Sequence, residues 1–418
     1  MLTGNGMKPV LPLFIFIDAC GWEIIRNDSF LASLTPNRAK LESVFGYSSA
    51  CVPSILSGRW PSEHRNWSYF VYDPDHSPFK YLRFLSWLPR RISGRRIFRR
   101  WLSRFVKRQL NFRGYFDLYN IPFRYISLFD FSEKRSPLRP GGMNRGKNIF
   151  DHLQQQQIPY HVSLPEHTEE RNLQAALDDI QNEKVDFAFI YWPGLDGLLH
   201  MVGNDSPSVT EKLRLYEQWI RQLKDAASLH YSDVRLYVFS DHGMANCDES
   251  IDLRKDIDML GLTMGEDYVV VYDSTMARFW FFNERARRLV YRRLQQVPEG
   301  RIVPESELKA LGAFFPDHYF GELIFLLREG ALIVPSDMGK TRLRGMHGYH
   351  PCEKHSYAML CTNQSEIPSE IRAIPDIFRL MLRDAQLASM RNAGDLRQGT
   401  LESGQKEPSG EHAFAQCN

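Results

Sequence analysis

Three short runs of nearly uninterrupted apolar residues constrain the fold more than any other feature of this 418-residue chain: Leu11 to Asp18, Val185 to Trp192 and Val234 to Ser240. Such runs, without polar alternation, are typical of strands buried on both faces of a parallel sheet. Helical patterns separate them, at Asn148 to Gln157, Glu169 to Glu183 and Leu213 to Ala227. Strands that alternate with helices predict an α/β fold in which helices cover both faces of a mostly parallel central sheet.

Changes in this alternating pattern predict a core with two insertions. In the cap, short alternating strands surround a helical pattern from Glu284 to Gln296, and the C-terminal segment is polar enough to predict disorder. The predicted parts are a metal-binding catalytic core at 1–75, 141–251 and 338–387, a basic aromatic helical insert at 76–140, an α+β cap at 252–337 and a disordered tail at 388–418.

Carboxylates and imidazoles follow each of the three apolar strands, and a further histidine follows the cap. Each alone has a simpler explanation, such as a helix N-cap for Asp18. Ligands of open α/β sheets, however, bind beyond the carboxyl ends of the strands, where all of these residues would meet. Nitrogen and oxygen donors in this number favour one or two divalent metals, with zinc preferred and manganese as the alternative. The six predicted ligands are Asp18, Asp196, His200, Asp241, His242 and His347.

A serine-rich segment after the first strand offers candidate nucleophiles, including Ser48, Ser49 and Ser54. A hydroxyl at the start of a helix gains from the helix dipole and from exposed backbone N–H groups, which also bind an anionic phosphoryl group. The simpler alternative is that these serines only cap the helix that runs to Leu56.

The order of these elements resembles the alkaline phosphatase superfamily, specifically its type I phosphodiesterase/nucleotide pyrophosphatase branch. The resemblance implies that Asp196, His200 and His347 hold one zinc ion. It implies that Asp18, Asp241 and His242 hold a second one, next to the nucleophile. The matching elements are Asp18, a serine ten residues before Gly58, Asp196-x-x-x-His200, Ser240-Asp241-His242-Gly243-Met244 and His347-Gly348-Tyr349.

Counting back ten residues from Gly58 makes Ser48 the implied nucleophile. The family has a proline two residues after its nucleophile, whereas this chain has Ala50 there and a proline only at Pro53. Ser49 therefore stays open as the alternative nucleophile.

Two further positions depart from the family pattern. Its phosphate-binding asparagine is replaced by Tyr69, so Asn66 is the nearest substitute. The segment Cys51 to Ser54 also resembles the Cys-x-Pro-Ser of sulfatases, although Ile55 replaces the arginine that sulfatases have next.

The resemblance implies a metal-dependent phosphoesterase, acting on phosphodiesters or phosphomonoesters through two in-line steps. Ser48 would attack phosphorus, and water would then hydrolyse the phosphoseryl intermediate. One alternative is a phosphotransferase that passes the phosphoryl or phosphoalcohol group to a sugar or lipid acceptor. Two others are a sulfatase and a non-catalytic membrane-associated binding protein.

The net charge of +2, from 52 basic and 50 acidic residues, hides a strong local asymmetry. Residues 76–116 contain 12 Lys or Arg, ten aromatic residues and no Asp or Glu. Within them Phe98, Trp101 and Phe105 recur at helical spacing. The segment is interpreted as a solvated amphipathic helix or as a contact for an anionic membrane surface. Nucleic acid is the least favoured partner because no known reader motif accompanies the charge.

The cysteine pattern and the apolar runs predict a cytoplasmic enzyme, peripheral at the membrane if the insert binds lipid. The six cysteines form no CxxC pair, which indicates reduced thiols. No run of 18 apolar residues predicts a spanning helix, and the N-terminal apolar run lacks the pattern of a signal peptide. The expected substrate is a phosphoester, with lipid-linked and polyanionic esters as the candidates that a membrane contact would favour.

Overall fold

The structure is a computed structural model and describes residues 7–394. Its strands alternate with helices along most of the core. The strands are β1 Lys8–Ile17, β2 Asn37–Leu41, β3 Phe70–Tyr72, β4 Phe129–Phe131, β5 Tyr160–Val162, β6 Phe187–Trp192, β7 Tyr231–Phe239, β8 Ala245–Asn246, β9 Glu249–Ile251, β10 Tyr268–Tyr272, β11 Met276–Phe281, β12 Gly300–Ile302, β13 Leu323–Leu327, β14 Ala331–Ile333, β15 Gly345–Met346 and β16 Ala358–Thr362.

The helices vary from single turns to more than twenty residues. They are α1 Trp22–Ile25, α2 Ser48–Ser57, α3 Pro61–His64, α4 Arg90–Ser93, α5 Arg96–Gln109, α6 Ile149–Gln155, α7 Glu169–Gln181, α8 Gly194–Val202, α9 Pro207–Ser228, α10 Leu253–Asp258, α11 Glu284–Leu294, α12 Glu305–Ala310 and α13 Ile377–Asn392. Short 3₁₀ helices span Lys80–Trp87, Ile126–Leu128, Lys354–Ser356 and Ile374–Asp376. None of the helices within residues 7–394 is both long and apolar enough to cross a bilayer.

A six-stranded sheet in the order β2-β16-β7-β1-β6-β5 forms the centre of the molecule. Strands β7, β1, β6 and β5 are parallel neighbours, whereas β16 runs antiparallel to both β7 and β2. The predicted α/β class with a mostly parallel sheet is therefore confirmed. The reversed direction of β16 could not be read from its apolar pattern, because hydrophobic periodicity carries no information about strand direction.

Strand β1 has apolar residues throughout because both of its faces are covered. Phe14 and Phe16 lie in the hydrophobic core shared with α2, α6 and α13. Leu13 and Ile15 lie in the opposite core, with α7, α8 and α9. Side chains alternate between the faces of a strand, so a strand between two helical layers needs apolar residues at every position.

A smaller antiparallel sheet, in the order β10-β11-β13-β12, lies within the segment predicted as the cap. Its strands Tyr268–Tyr272 and Met276–Phe281 lie within one residue of the alternating runs at Tyr268 to Tyr272 and Ala277 to Phe282, which the sequence predicts as strands. Val269, Val271 and Trp280 of this sheet share one hydrophobic cluster with the basic insert. The domain boundaries stay a prediction, since the two insertions pack together.

The α-helices of the basic insert, α4 and α5, both end by Gln109. Helix α5 lies where the aromatic spacing predicts it, but β4 pairs with β3, which comes from the preceding core segment. At the other end of the chain, α13 extends to Asn392, past the predicted start of the tail at residue 388. The Asn392 side chain bonds to both the N–H and the carbonyl of Val10, each at 3.0 Å, which fixes this turn. The rest of the predicted tail, residues 395–418, lies outside the described residues.

Candidate metal centre

The parallel register brings the predicted acidic ligands to one edge of the sheet. Ile17 pairs with Trp192, and Phe16 pairs with Phe239 of the neighbouring strand. Asp18 directly follows β1, Asp241 lies two residues beyond β7, and Asp196 lies in the first turn of α8 just after β6. The carboxyl ends of three adjacent strands thus deliver three carboxylates to one place, as expected for an open α/β sheet.

Two groups of potential metal ligands form there. Asp196, His200 and His347 make up the first, and Asp18, Asp241 and His242 make up the second. Within each group, the ligand atoms lie within 4.8 Å of one another. The structure thus brings all six predicted ligand residues together, divided as the sequence resemblance implies.

The two groups are joined through their histidines. The imidazoles of His242 and His347 stack with their ring centroids 3.8 Å apart and their planes inclined by 11°. The ring centroids of His200 and His347 are 5.3 Å apart. The six side chains therefore form one continuous centre.

Backbone carbonyls orient two of the three imidazoles. His200 Nδ1 lies 2.9 Å from the carbonyl oxygen of Gly345, and His242 Nδ1 lies 2.9 Å from that of Gly243. A Nδ1–H that donates to a carbonyl fixes the tautomer and leaves the Nε2 lone pair free for a metal. Both Nε2 atoms face carboxylates, His200 towards Asp196 at 3.3 Å and His242 towards Asp241 at 3.0 Å.

Several atoms of the centre lack the hydrogen-bond partners that buried polar groups normally have. Asp18 Oδ1, Asp196 Oδ1, Asp241 Oδ2 and His347 Nδ1 are buried without one. A buried carboxylate oxygen without a hydrogen-bond donor is costly, and three carboxylates side by side repel each other. Divalent cations would remove both costs, so this donor set fits such ions.

The pKa values of the acidic groups reflect the same conflict. Burial raises the pKa of Asp18 well above its usual value, and the nearby charges of Asp241 and Asp196 raise it further. Burial would also raise the pKa of Asp196, but the charges of His200, His347 and His242 lower it below its usual value. The ionised form is thus favoured for Asp196, which imidazoles surround. It is disfavoured for Asp18, which lies beside two other carboxylates.

The pKa values of two imidazoles, His242 and His347, are shifted in opposite directions. Burial acts to lower the pKa of His242, but the Asp241 carboxylate outweighs it and raises the pKa to about 9. Burial lowers the pKa of His347 well below its usual value, and the positive charge of the stacked His242 lowers it further. A positive charge on one of two stacked imidazoles thus disfavours a second positive charge on the other.

The two candidate nucleophiles have different surroundings. Ser48 is the first residue of α2, and its hydroxyl lies 3.0 Å from His242 Nε2. The hydroxyl of Ser49 is buried and donates to the carbonyl oxygen of Trp67 at 2.8 Å. The Tyr47 side chain makes no capping hydrogen bond, and its carbonyl oxygen accepts from the N–H of Ala50 at 2.7 Å. The N–H groups of Ser48 and Ser49, at the start of the helix, are therefore the ones that an anion beside Ser48 would meet.

The cysteine of the sulfatase-like segment points away from this arrangement. The Cys51 thiol is buried and lies 3.5 Å from the hydroxyl of Ser43. Burial raises its pKa well above the usual value, and the negative charge of Asp241 adds to the effect. A protonated thiol packed in the core lacks the exposure that a reactive cysteine requires.

The predicted phosphate-binding residue Asn66 makes a hydrogen bond within the protein. Its side-chain oxygen accepts a hydrogen bond from the backbone N–H of Asn144 at 3.1 Å. Tyr69, which occupies the position of the family's asparagine, stacks against Phe131 with ring centroids 5.5 Å apart. Burial raises the pKa of Tyr69, and the charges of Asp18 and Asp196 contribute, so this phenol lies in the field of the centre.

Sequence reasoning missed a tyrosine that contacts a ligand directly. The Tyr191 hydroxyl donates to Asp18 Oδ2 at 2.6 Å. Tyr191 belongs to the apolar run of β6 and pairs with Phe16 of β1. Its position one residue before the end of a strand neighbouring β1 is the only sequence signal for this contact, and it requires the strand order to be known.

A residue of the predicted cap was missed as well. The Tyr47 hydroxyl lies 2.7 Å from the Thr275 hydroxyl, which in turn donates to the Gly348 carbonyl oxygen at 2.9 Å. Tyr47 precedes Ser48, and Gly348 follows His347. Thr275 therefore ties the candidate nucleophile loop to the loop of a candidate ligand.

The glycine after His242 is required by close packing. A Cβ atom on Gly243 would lie 2.4 Å from the carbonyl oxygen of His355, and one on Gly21 would lie 2.3 Å from the Cα of Gly243. The loops that follow β1 and β7 can therefore approach each other only through glycines.

Comparison with protein families agrees with the family resemblance that the sequence motifs indicate. A family model described as type I phosphodiesterase/nucleotide pyrophosphatase matches residues 13–350. This range contains all six candidate ligands and both candidate serines. No curated protein sequence matches the chain significantly.

Solved structures resemble the fold over nearly its whole length. Human ectonucleotide pyrophosphatase/phosphodiesterase 5 has a TM-score of 0.62 at 14% identity, covering 91% of this chain and 95% of its own. The murine protein has a TM-score of 0.62 at 15% identity, with the same coverage. An inactive form of the murine protein in complex with AMP has a TM-score of 0.61 at 14% identity, again covering 91% and 95%.

Proposed function

The chain belongs to the type I phosphodiesterase/nucleotide pyrophosphatase family, and we propose that it cleaves phosphodiesters with Ser48 as nucleophile and two divalent metal ions. Family membership makes it a phosphoric ester hydrolase of the phosphodiesterase type, within the alkaline phosphatase superfamily. The structural matches confirm the predicted alkaline phosphatase-like fold. The serine nucleophile, the metal dependence and the choice of substrate are the proposed parts.

One observation carries the proposal. The hydroxyl of Ser48, at the start of α2, lies 3.0 Å from the Nε2 atom of His242. His242 belongs to the buried group with Asp18 and Asp241, and it stacks on His347 of the other group. A hydroxyl placed beside two sets of three nitrogen and oxygen donors suits two-metal phosphoryl transfer.

The donor sets define which residues would hold each metal. Asp196, His200 and His347 would hold one, and Asp18, Asp241 and His242 would hold the other. We propose zinc because of the mixed imidazole and carboxylate donors, with manganese as the alternative. When bound, such cations neutralise the carboxylates, lower the pKa of a neighbouring hydroxyl and stabilise negative charge that develops on phosphoryl oxygens.

The protein's own groups then carry out two displacements. The Ser48 oxygen attacks phosphorus, a P–O bond to serine forms, and the P–O bond to the leaving alcohol breaks. The proton lost by serine balances the proton gained by the leaving alkoxide. Water next attacks the phosphoseryl group, which releases the phosphate ester and restores the serine hydroxyl. The N–H groups of Ser48 and Ser49 at the start of α2 orient the phosphoryl oxygens in both steps.

Phosphoesters, including nucleotides, are plausible substrates for a member of this family. A structural neighbour binds AMP, which supports a nucleotide-type phosphodiester as the first candidate. We keep lipid-linked or polyanionic phosphoesters as further candidates because of the basic insert, and we place the enzyme in the cytoplasm or peripherally at a membrane.

A panel of chromogenic esters tests this proposal. We expect faster release of p-nitrophenol from bis-p-nitrophenyl phosphate than from p-nitrophenyl phosphate, and none from p-nitrophenyl sulfate. Chelation should abolish the activity, and added zinc or manganese should restore it. Preferential cleavage of the sulfate, or full activity after exhaustive chelation, would contradict the proposal. Adding an alcohol and measuring its phosphorylated product separates hydrolysis from transfer to an acceptor.

A further inference from the structure

A 3₁₀ helix of the insert exposes a row of aromatic side chains. In Lys80–Trp87, the residues Tyr81, Phe84 and Trp87 follow each other at intervals of three. Side chains three apart eclipse each other in a 3₁₀ helix, so they form one ridge. They are 82%, 73% and 76% exposed. Side chains this exposed project into solvent and do not line a groove.

Helix α5 carries a second ridge. Ile97, Trp101 and Phe105 follow each other at intervals of four, and they are 84%, 61% and 49% exposed. The rings of Trp101 and Phe105 stack with centroids 5.9 Å apart. Residues four apart lie on one face of an α-helix, so this ridge also forms a continuous apolar strip.

Basic residues accompany both ridges. Lys80 and Arg83 lie on the 3₁₀ helix, while α5 has a parallel row of Arg96, Arg100, Arg104 and Arg108. All six are exposed, and none forms an ion pair with a carboxylate in the part of the chain that the structure describes. Residues 76–116 contain no Asp or Glu, so no acidic neighbour along this segment compensates the charge of these six residues.

The opposite sides of both helices are anchored to one core. Leu102 and Val106 of α5 are buried in the cluster against which Leu82 and Leu85 of the 3₁₀ helix pack. The buried guanidinium of Arg99 donates to the carbonyl oxygens of Ser93, Tyr119 and Ile121. The ridges are therefore displayed by a packed scaffold. We call the exposed side chains of residues 80–108 the aromatic-basic surface.

The concentration of exposed apolar side chains on this surface is unusual for the molecule. Of the sixteen large hydrophobic residues that are exposed within residues 7–394, seven lie between Tyr81 and Phe105. Exposed apolar side chains scattered singly need no explanation, but a cluster flanked by charge indicates an interaction site.

We propose that the aromatic-basic surface docks on an anionic lipid bilayer. Trp and Tyr prefer the headgroup region, where an apolar ring and a polar atom are both accommodated. Arg and Lys near an anionic leaflet each contribute roughly 1 kcal/mol to binding. An apolar strip beside a row of arginines is the arrangement of helices that lie in the plane of a membrane. Projecting ridges suit insertion between headgroups better than single-stranded nucleic acid, which binds along grooves.

Sedimentation of the full chain with lipid vesicles tests this inference independently of catalysis. We expect binding to phosphatidylcholine vesicles that contain phosphatidylglycerol and much weaker binding to pure phosphatidylcholine. About 1 M NaCl should weaken the binding strongly, since the screening length is then about 3 Å. Failure of the catalytic proposal would not affect this readout, because no turnover is measured.

Two matched variant pairs locate the contact. The triple variant Arg96→Gln, Arg100→Gln, Arg104→Gln should bind the anionic vesicles roughly tenfold or more weakly. Its control, Arg285→Gln, Arg288→Gln, Arg292→Gln on α11, also removes three exposed arginines and should bind as the wild type does.

The apolar variant Ile97→Ser, Trp101→Ser, Phe105→Ser should likewise lose most of the binding. Its control, Leu229→Ser, Met259→Ser, Tyr291→Ser, replaces exposed apolar residues elsewhere and should not. Unchanged circular dichroism shows that each variant is folded. Equal loss in test and control variants, no vesicle binding by the wild type, or displacement from vesicles by a single-stranded oligonucleotide would overturn the inference.

Discussion

The metal-ligand edge of the sheet and the aromatic-basic surface both concentrate charge, but in opposite ways. At the sheet edge, carboxylates and imidazoles are buried together, and four of their polar atoms lack a hydrogen-bond partner. On the insert, charges of one sign lie in solvent beside exposed rings. A buried group without a partner costs free energy, whereas a solvated arginine costs little.

The difference shows what each region requires. The sheet edge gathers negative charge that cations would neutralise, which supports the proposal that it holds them inside the protein. The basic side chains of the aromatic-basic surface are exposed to water, so they need no partner inside the protein and support the proposal of a partner outside it. The two regions are thus expected to respond differently to the same kind of substitution.

The largest effect is expected at the sheet edge, where replacing the nucleophile should affect chemistry alone. Ser48→Ala should reduce kcat on the order of 10⁴-fold or more, because the variant lacks the hydroxyl that forms the proposed covalent intermediate. Bound metal, measured by mass spectrometry, should be unchanged. Ser49→Ala is the matched control: it removes the bond to Trp67 and about 1 kcal/mol of stability, but should retain turnover. The opposite result would make Ser49 the nucleophile.

Within the insert, two adjacent arginines allow the stability cost of losing a buried charge to be compared with that of losing an exposed one. Arg99 is buried with three hydrogen bonds to carbonyl oxygens, and burial lowers its pKa to about 10. Arg99→Gln should destabilise the protein by about 3 kcal/mol, since it leaves buried carbonyls unpaired. Arg100→Gln should cost less than about 0.5 kcal/mol because Arg100 is exposed. Urea unfolding measures both, and equal costs would show that the insert is not packed as described.

Neutralising a carboxylate of the sheet edge should stabilise the protein in the absence of metal and destabilise it in the presence of metal. In a chelator, Asp18→Asn should raise the free energy of unfolding by about 1 to 2 kcal/mol, because it relieves repulsion from Asp241 and Asp196. With zinc present, the same variant should be less stable than the wild type, since it has lost a ligand. Asp225→Asn, an exposed control, should change neither value appreciably. Destabilisation under both conditions would show that the centre is not strained by charge.

The smallest effect is expected from removing the hydroxyl that contacts Asp18 in the buried group of Asp18, Asp241 and His242. Tyr191→Phe removes the 2.6 Å bond to Asp18 and leaves the ring packing intact. Partners that orient metal ligands typically contribute about 10- to 100-fold in affinity, so zinc affinity should fall by roughly tenfold. Competition with a chromophoric chelator measures this affinity. Unchanged affinity would mean that Asp18 is positioned without help from Tyr191.

The sequence allowed the central sheet and the six grouped ligand residues to be predicted for physical reasons. Strands buried on both faces have continuous apolar runs, and parallel strands end at a common edge, as β1, β6 and β7 do. The choice between Ser48 and Ser49 depends on which way each hydroxyl points around the first turn of α2, and their adjacent positions do not show this.

Contacts between distant segments were harder to predict. Tyr191 reaches Asp18 only because β6 lies beside β1, and Thr275 reaches Tyr47 only because the cap folds back onto the core. Asn66 stays a predicted phosphate ligand, and its hydrogen bond from the N–H of Asn144 could not be seen in the sequence. On the insert, helical spacing predicted α5 but not which of its aromatic residues would be exposed.

Metal content per chain, measured by plasma mass spectrometry after zinc loading and dialysis, tests the central claim most directly. The account predicts about two zinc ions in the wild type, one for each group of three ligands. The variant His200→Ala, His347→Ala disrupts only the group containing Asp196 and should retain about one. A wild-type protein that binds fewer than two ions, or a double variant that binds as many as the wild type, would contradict a two-metal centre at this sheet edge.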